Sequence, residues 1–256
     1  MIFGRGRAAA AAERSPASFE EADEELAQVL DNLAAAVNYA DWIVALAAPY
    51  LGPQILELGA GHGTLTGRLA RHGKVTATEL SPRCVETLTQ RYAGSPDIEI
   101  LHGDIEAAVD ARTYDSAVLV NVLEHIPDDV GALRTLHNAL RPGGTLVLFV
   151  PAFEALYSEF DRMVGHYRRY RRPDLMGRVR GAGFDVVDAR YVNVLGGLAW
   201  WVIARQLGRF PSNVRTVRTY DRVVTPVVRR LETRFVPPFG QSLLCVGRRP
   251  ATAGDV

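Results

Sequence analysis

Cysteine is nearly absent from this sequence: of 256 residues only Cys84 and Cys245 carry a thiol, so no disulfide framework is available and a reducing, cytoplasmic setting is expected. Lysine is rarer still. Lys74 stands alone, and the other 28 of the 29 Lys and Arg residues are arginine, which with the many alanines reads as GC-rich coding rather than a binding code. Long apolar runs are missing as well. The longest, Val192 to Ala204, is 13 residues and contains Asn193, against the ~20 needed to span a bilayer. In Met1 to Ser18, five alanines follow Arg5 and Arg7 but Glu13 and Arg14 cut the stretch short. That argues against a signal peptide, and residues 1–18 are read as a disordered tail. No internal repeat or heptad array is present.

Net charge is zero, but the zero hides a division. Residues 1–161 carry 11 Arg/Lys against 23 Asp/Glu, and residues 162–256 carry 18 against 6, so the first part is −12 and the second +12. Two readings stand side by side. The carboxyl-terminal part faces an anionic partner such as phosphate, anionic lipid or nucleic acid, or it neutralises the acidic part of its own chain.

What is present is an alternation. From Phe19 to Leu46 the apolar positions Leu26, Val29, Leu30, Leu33, Val37, Ile43 and Leu46 recur at three and four, predicting two helices before the first strand. After Pro49, Gly52 and Pro53 the pattern predicts strands at Gln54 to Leu58, Lys74 to Glu79, Ile98 to His102, Ser116 to Asn121 and Thr145 to Val150. Helices are expected from Thr64, from Pro82 and over Val130 to Leu140. Such alternation implies an α/β fold with a parallel sheet and right-handed crossovers. The rhythm breaks after Pro151: an arginine-rich segment, Tyr157 to Arg172, precedes a helix from Pro173 to near Gly181. A strand at Phe184 to Val192, a mainly helical excursion over 195–235 and a last strand at Ser242 to Arg248 follow. One domain over residues 19–256 is expected. Its core covers about 50–151, 184–192 and 242–249, with an α-helical cap built from insertions at 19–48, 152–182 and 193–236.

The chemistry sits in the first half. Ile55-Leu56-Glu57-Leu58-Gly59-Ala60-Gly61-His62-Gly63-Thr64 runs an apolar strand into a glycine-rich turn that opens a helix; glycines let the backbone approach a ligand where a side chain would collide. The dinucleotide fingerprint G-x-G-x-x-G/A needs a small residue where this chain has Thr64, which disfavours NAD. Glu79 ends the second strand, where a carboxylate can accept ribose hydroxyls, and Asp104 follows the third strand, where it could accept the adenine amino group.

On these residues the sequence resembles the class I, Rossmann-like methyltransferases that use S-adenosylmethionine, of the small-molecule kind (methyltransferase type 11/12-like). ELGAGHGTLT resembles their glycine motif, ATEL their ribose-binding acid, HGDI their adenine contact, YDSAVLVNVLEHIPD their fourth strand and LRPGGTLVLFVPA their fifth; the likeness covers roughly residues 38 to 151. It implies a seven-stranded, mostly parallel sheet of order 3-2-1-4-5-7-6 with strand 7 antiparallel and helices on both faces. It also implies a cofactor site of Glu57, Gly59, Ala60, Gly61, Gly63, Glu79, Leu80, Asp104, Ile105, Asn121 and Val122. Glu57 and Gly59 would lie near the methionine part, and Asn121 and Val122 would line the pocket. The product would be S-adenosylhomocysteine.

Methyl transfer from a sulfonium depends mainly on positioning, and a hydroxyl acceptor gains from a base. His125, directly after strand four, is the first candidate and resembles the family's Glu-His pair; His166, in Gly165-His166-Tyr167-Arg168-Arg169-Tyr170-Arg171-Arg172, is the second. The alternative for His125 is a structural histidine bonded to a loop carbonyl. Tyr167, Arg168, Arg169 and Tyr170 are candidate acceptor contacts, since guanidinium groups beside aromatic rings can grip a phosphate or carboxylate. A salt-bridged arm packed on the acidic half competes with that reading. His62, His72, His102 and His137 are read as surface or packing residues. No metal is expected: Glu124, His125, Asp128 and Asp129 are close in sequence, but no spaced ligand set elsewhere completes a site.

Residues 193–205, with a Trp pair and a basic flank, could shape the acceptor pocket, pair two subunits or rest at a membrane interface. With Pro237 to Leu243 they resemble a bacterial methyltransferase subgroup often seen with polyprenyl-phosphate-sugar glycosyltransferases. The expected function is a cytoplasmic O-methyltransferase of a small, sugar or lipid-linked hydroxyl acceptor, anionic in one reading, acting as a monomer or homodimer. The alternatives are an N- or C-methyltransferase, an NAD-dependent oxidoreductase and a non-catalytic basic protein that binds nucleic acid or membrane, with nucleic acid not the expected partner.

Overall fold

A computed structural model describes residues 34–109, 113–202 and 214–251 of the chain. The tail expected over 1–18, the first of the two expected amino-terminal helices and residues 203–213 of the excursion lie outside the described residues. In chain order the elements are α1 (Val37–Ala47), β1 (Gln54–Leu58), α2 (Thr66–Leu69), β2 (Lys74–Glu79), α3 (Pro82–Arg91), β3 (Ile98–His102), α4 (Ile105–Val109) and β4 (Tyr114–Val120). Then come α5 (Asp129–Ala139), β5 (Leu140–Pro151), α6 (Glu159–Met163), α7 (Arg172–Gly181), β6 (Asp185–Val192), α8 (Val194–Trp200), α9 (Val214–Glu232) and β7 (Ser242–Arg248).

The strands form one seven-stranded sheet in the order β3-β2-β1-β4-β5-β7-β6. β3, β2, β1, β4 and β5 run parallel, and β7 is antiparallel to both β5 and β6, as the resemblance implied. The central strands are apolar on both sides because both faces are covered. Leu56 and Leu58 point into one core layer with Leu119, Leu133, Leu136, Leu146, Leu148 and Val179. Ile55 points into the other with Trp42, Ile43, Leu69, Leu88, Val118, Val147 and Val228. Thus α1, α2, α3 and α9 cover one face, and α4, α5 and α7 the other.

Chain order reverses between β1 and β4, so their carboxyl ends open a crevice of the kind in which ligands of open α/β sheets bind. Several elements depart from the sequence reading at their edges. The expected helix from Thr64 starts at Thr66, because Gly61 and Gly63 hold left-handed backbone and keep the chain turning. Strand β5 begins earlier than Thr145, since Leu140 already pairs with Tyr114 before a register shift. The five-residue helices α4 and α6 escaped detection, being shorter than two turns of apolar periodicity. Cys84 and Cys245 are both buried and form no disulfide among the described residues, and no described helix is long and apolar enough to cross a membrane.

Candidate active site

On the β1 side the turn from Gly59 to Gly63 is built by backbone that side chains rarely adopt. Gly59 has φ +69°, and a Cβ there would stand 2.6 Å from Cγ2 of Val122, so glycine alone lets the β1 and β4 turns pass each other. The turn is pinned from β2. The Glu79 carboxylate accepts from the backbone N–H of Gly61 at 2.7 Å, of Leu80 at 2.8 Å and of Ser81 at 3.0 Å. Ala60 is buried and its N–H donates to the Thr78 carbonyl at 3.0 Å. Glu57, at 4% exposure, aims a carboxylate into the same place; its Oε2 has no hydrogen-bond partner, and burial, with the Glu79 charge adding, pushes its carboxyl up to about 8.

At the β4 end, Asn121 takes left-handed backbone at φ +52°, where a short polar side chain is tolerated, and its N–H donates to the Phe149 carbonyl at 2.8 Å. Val122 then packs against Gly59. Asp104, past β3, is exposed; its Oδ1 caps α4 by accepting from the N–H of Glu106 at 3.1 Å and of Ala107 at 3.3 Å, and Ile105 behind it is buried. Leu80 is 66% exposed. Glu57, Gly59, Ala60, Gly61, Gly63, Glu79 and Leu80 therefore gather around one turn, with Asn121 and Val122 beside it, whereas Asp104 and Ile105 stand a strand farther out. A buried carboxylate oxygen without a partner, next to a turn open only to glycine, fits a ligand with a cationic end that lies along the turn.

The other side of the crevice edge carries the histidines. His125 and His166 meet edge to face, with ring centroids 4.6 Å apart at 82°. Burial, reinforced by His166, lowers His125 to about 4, so it is neutral at neutral pH. His166 Nδ1 lies 2.8 Å from Asp161 Oδ1, and its Nε2 stands 3.8 Å from Glu124 Oε1. Asp161 is fully buried and also accepts from the Ser158 N–H, the Ser158 hydroxyl and the Arg169 guanidinium. Burial raises its carboxyl, but the hydrogen bonds from His166 and Arg169 outweigh that and hold it at about 2.

The arginine-rich arm is less open than its sequence suggested. Arg169 is buried with its guanidinium on Asp161, and Tyr170, 2% exposed, donates its hydroxyl to Asp129 Oδ2 at 2.9 Å. Their polar groups are committed to protein partners, so these two build the arm rather than meet an acceptor. Tyr167 is 59% exposed and Arg168 lies over its ring, while Arg168 also pairs with Asp129 at 2.8 Å. Arg178 joins Asp129 as well, at 2.6 Å. Part of the charge division is therefore answered within the chain. Trp200 packs edge-on to Phe160 and donates to the Leu156 carbonyl at 3.2 Å, so α8 closes over the arm, while Trp201 and Val202 face outward. Linear reading missed Asp161 as the partner of His166 and Glu124 as a buried neighbour of both histidines. The only signal for either was the Glu124-His125 pair itself.

Fold and site together define a Rossmann-like α/β protein whose sheet order, glycine turn and strand-end acid are those of class I methyltransferases. The family model described as a methyltransferase domain matches residues 56–148. A ubiquinone biosynthesis O-methyltransferase of Paracidovorax citrulli is 27% identical over 167 residues, covering 58% of this chain and 70% of that protein. The corresponding mitochondrial protein of Schizosaccharomyces pombe is 33% identical over 104 residues, 39% of this chain and 38% of that one. An uncharacterized 37.1 kDa protein in transposon TN4556 of Streptomyces fradiae is 32% identical over 150 residues, and the match spans 56% of this chain but only 44% of its length. Among solved structures, the N-methyltransferase NodS of Bradyrhizobium japonicum in complex with S-adenosylhomocysteine superposes with a TM-score of 0.55 at 18% identity, over 83% of this chain and 86% of that one. The [4+2]-cyclase SpnF superposes equally well, with a TM-score of 0.55 at 17% identity over 84% and 82% of the two chains, so the fold by itself does not name the reaction. Residues 56–148 thus match the methyltransferase-domain family, in a chain with the fold of the Rossmann-like, S-adenosylmethionine-dependent methyltransferases it superposes on.

Proposed function

We propose that this chain methylates a hydroxyl group of a small-molecule, sugar or lipid-linked acceptor in the cytoplasm, releasing S-adenosylhomocysteine. The observation that carries the reading is the Asp161–His166 pair beside His125, which itself stands just beyond β4. When bound, S-adenosylmethionine supplies a methyl group already activated on a sulfonium. Positioning is then most of the catalysis. In this reading Glu57 and the turn from Gly59 to Gly63 hold the amino-acid end, Glu79 with Leu80 the ribose, Asp104 with Ile105 the adenine, and Asn121 with Val122 close the pocket.

His166 is the preferred proton acceptor. With Nδ1 engaged by Asp161, its Nε2, toward Glu124, is the nitrogen that remains to take a proton from an acceptor hydroxyl. His125, held neutral, is the adjacent polar wall. Amine acceptors attack through their own lone pair and have less need of such a pair, which favours oxygen over nitrogen. Tyr167, 59% exposed, is the acceptor contact retained from the arm, with Arg168, whose guanidinium is held by Asp129 and the Pro127 carbonyl, stacked over its ring. The names of the ubiquinone biosynthesis relatives point the same way.

The test is turnover: the purified chain with S-adenosylmethionine and a panel of phenols, sugars and hydroxylated lipid carriers, read as S-adenosylhomocysteine and a methylated product by mass spectrometry. Methyl ether formation that His166→Ala reduces at least tenfold supports the proposal. A methylated amine or carbon with full turnover in the double variant His125→Ala/His166→Ala overturns it, and a melting-temperature shift with NAD but none with S-adenosylhomocysteine would revive the dehydrogenase alternative.

A further inference from the structure

We infer that Glu124, His125 and His166 form a binding site for one divalent transition-metal ion. One ligand atom from each of the three lies within 4.8 Å of the others. Around a tetrahedral ion with bonds of about 2.0–2.1 Å, ligand atoms stand about 3.4 Å apart, so modest side-chain rotations close the set. The spacing of the sequence concealed this, because His166 reaches the pair only after the chain has crossed β5 and the arm.

Three observations separate this cluster from a chance gathering of polar groups. First, Glu124 has no exposed surface, and neither carboxylate oxygen has a hydrogen-bond partner. A bare buried carboxylate is among the most unfavourable arrangements in a protein interior, and a cation would remove that penalty. The nearby guanidinium of Arg169 does not do so, being spent on Asp161. Second, His166 has its Nδ1 against Asp161, which leaves Nε2 toward Glu124; a carboxylate on the far nitrogen is the usual means of orienting a metal-binding imidazole. Third, His125 makes a hydrogen bond to the backbone of Gly165, which likewise engages one ring position and leaves the other. Asp161 is itself held by Ser158 and Arg169, so the support reaches a further layer of bonds.

The donor set identifies the class of ion. Two imidazoles and one carboxylate suit Zn²⁺, Co²⁺, Ni²⁺ or Fe²⁺ rather than Mg²⁺ or Ca²⁺, which prefer oxygen ligands. Three protein ligands also leave a position open, as in catalytic rather than structural sites. Resting on the O-methylation reading, that position is where an acceptor hydroxyl would bind. There the ion would lower the hydroxyl's pKa and take over the work otherwise assigned to His166 as a free base. Binding of the ion does not depend on that reading.

The experiment uses the full chain, stripped with EDTA and dialysed. Zn²⁺ binding is followed by calorimetry and Co²⁺ binding by visible absorption, while the thermal shift with S-adenosylhomocysteine is measured in parallel as a check on fold and cofactor site. One equivalent of ion is expected, with affinity lowered at least tenfold by Glu124→Gln, His125→Ala or His166→Ala. Asp161→Asn should lower it by about 10–100-fold through His166 alone. All four variants should keep the S-adenosylhomocysteine shift. A native chain that shifts with S-adenosylhomocysteine but takes up no Co²⁺ or Zn²⁺ overturns the inference, as does binding in Glu124→Gln and His166→Ala as strong as in the native chain. Metal binding in a chain with no response to S-adenosylhomocysteine would instead count against the methyltransferase reading alone.

Discussion

The backbone N–H of Gly61 donates to Oε2 of Glu79 at 2.7 Å, tying the turn after β1 to the end of β2. The other oxygen of the same carboxylate accepts from Leu80 and Ser81, so donors approach both sides of the group. An amide would turn its NH₂ against one of those donor sets. Glu79→Gln is therefore expected to harm cofactor binding nearly as much as Glu79→Ala. At 100 times its dissociation constant a ligand stabilises by about 2.7 kcal/mol, and a tenfold weaker affinity removes about 1.4 kcal/mol of that. Thermal shifts with S-adenosylhomocysteine read the difference directly, and a Glu79→Gln protein that responds like the native chain would show that charge and shape at Glu79 do not matter.

Gly59→Ala meets two obstacles at once, the left-handed backbone at φ +69° and the 2.6 Å approach to Val122. A loss of about 1–3 kcal/mol of stability is expected, together with loss of S-adenosylhomocysteine binding. Adding Val122→Ala relieves the collision but not the backbone strain. Denaturant unfolding should thus recover only part of the loss in the double variant, whereas full recovery would assign the whole effect to the side-chain clash.

Glu57 links stability to pH. Its folded carboxyl is raised to about 8 from 4.5, so the native state binds the proton more tightly than the unfolded chain. The resulting stability is complete below about pH 4.5 and falls as pH rises toward 8, with a slope of up to about 1.4 kcal/mol per pH unit. Glu57→Gln should flatten unfolding free energies measured between pH 5 and 8. An unchanged slope in that variant would place the proton elsewhere.

Two ion pairs on the arm should differ sharply. Asp161 and the Arg169 side chain are both buried, and Asp161→Ala is expected to cost about 3–5 kcal/mol because a guanidinium is left without its partner. Glu159 pairs with Arg162 at the surface, with both side chains more than 60% exposed, and Glu159→Ala should cost under about 1 kcal/mol. Urea titrations of the two variants compare them, and similar losses would mean that burial is not what decides the value of these pairs.

A good part of the fold was legible in the sequence because its determinants are local. The apolar runs of β1 and β4, the glycines at 59, 61 and 63 and the acid ending β2 each constrain backbone or burial within a few residues, and the resemblance they carry implied the strand order that the sheet adopts. Contacts between distant segments were not legible. Asp221 of α9 caps the start of α1, accepting from the Asn38 N–H at 3.0 Å and the Tyr39 N–H at 2.8 Å, and no periodicity announces a cap that comes from the far end of the chain.

The same division runs through the site. By itself the sequence determined the glycine turn and the strand-end acid proposed to hold the cofactor, since left-handed glycines followed by a carboxylate need only the short stretch from Glu57 to Glu79. Tertiary structure alone decided the histidine cluster and the arm: it withdrew Arg169 and Tyr170 into buried bonds with Asp161 and Asp129, and it set His166 beside Glu124 and His125. The physical reason is that a polar side chain's role depends on its burial and on which groups remain to pair with it. Both are properties of chain segments that meet only once the sheet and its cap have folded together.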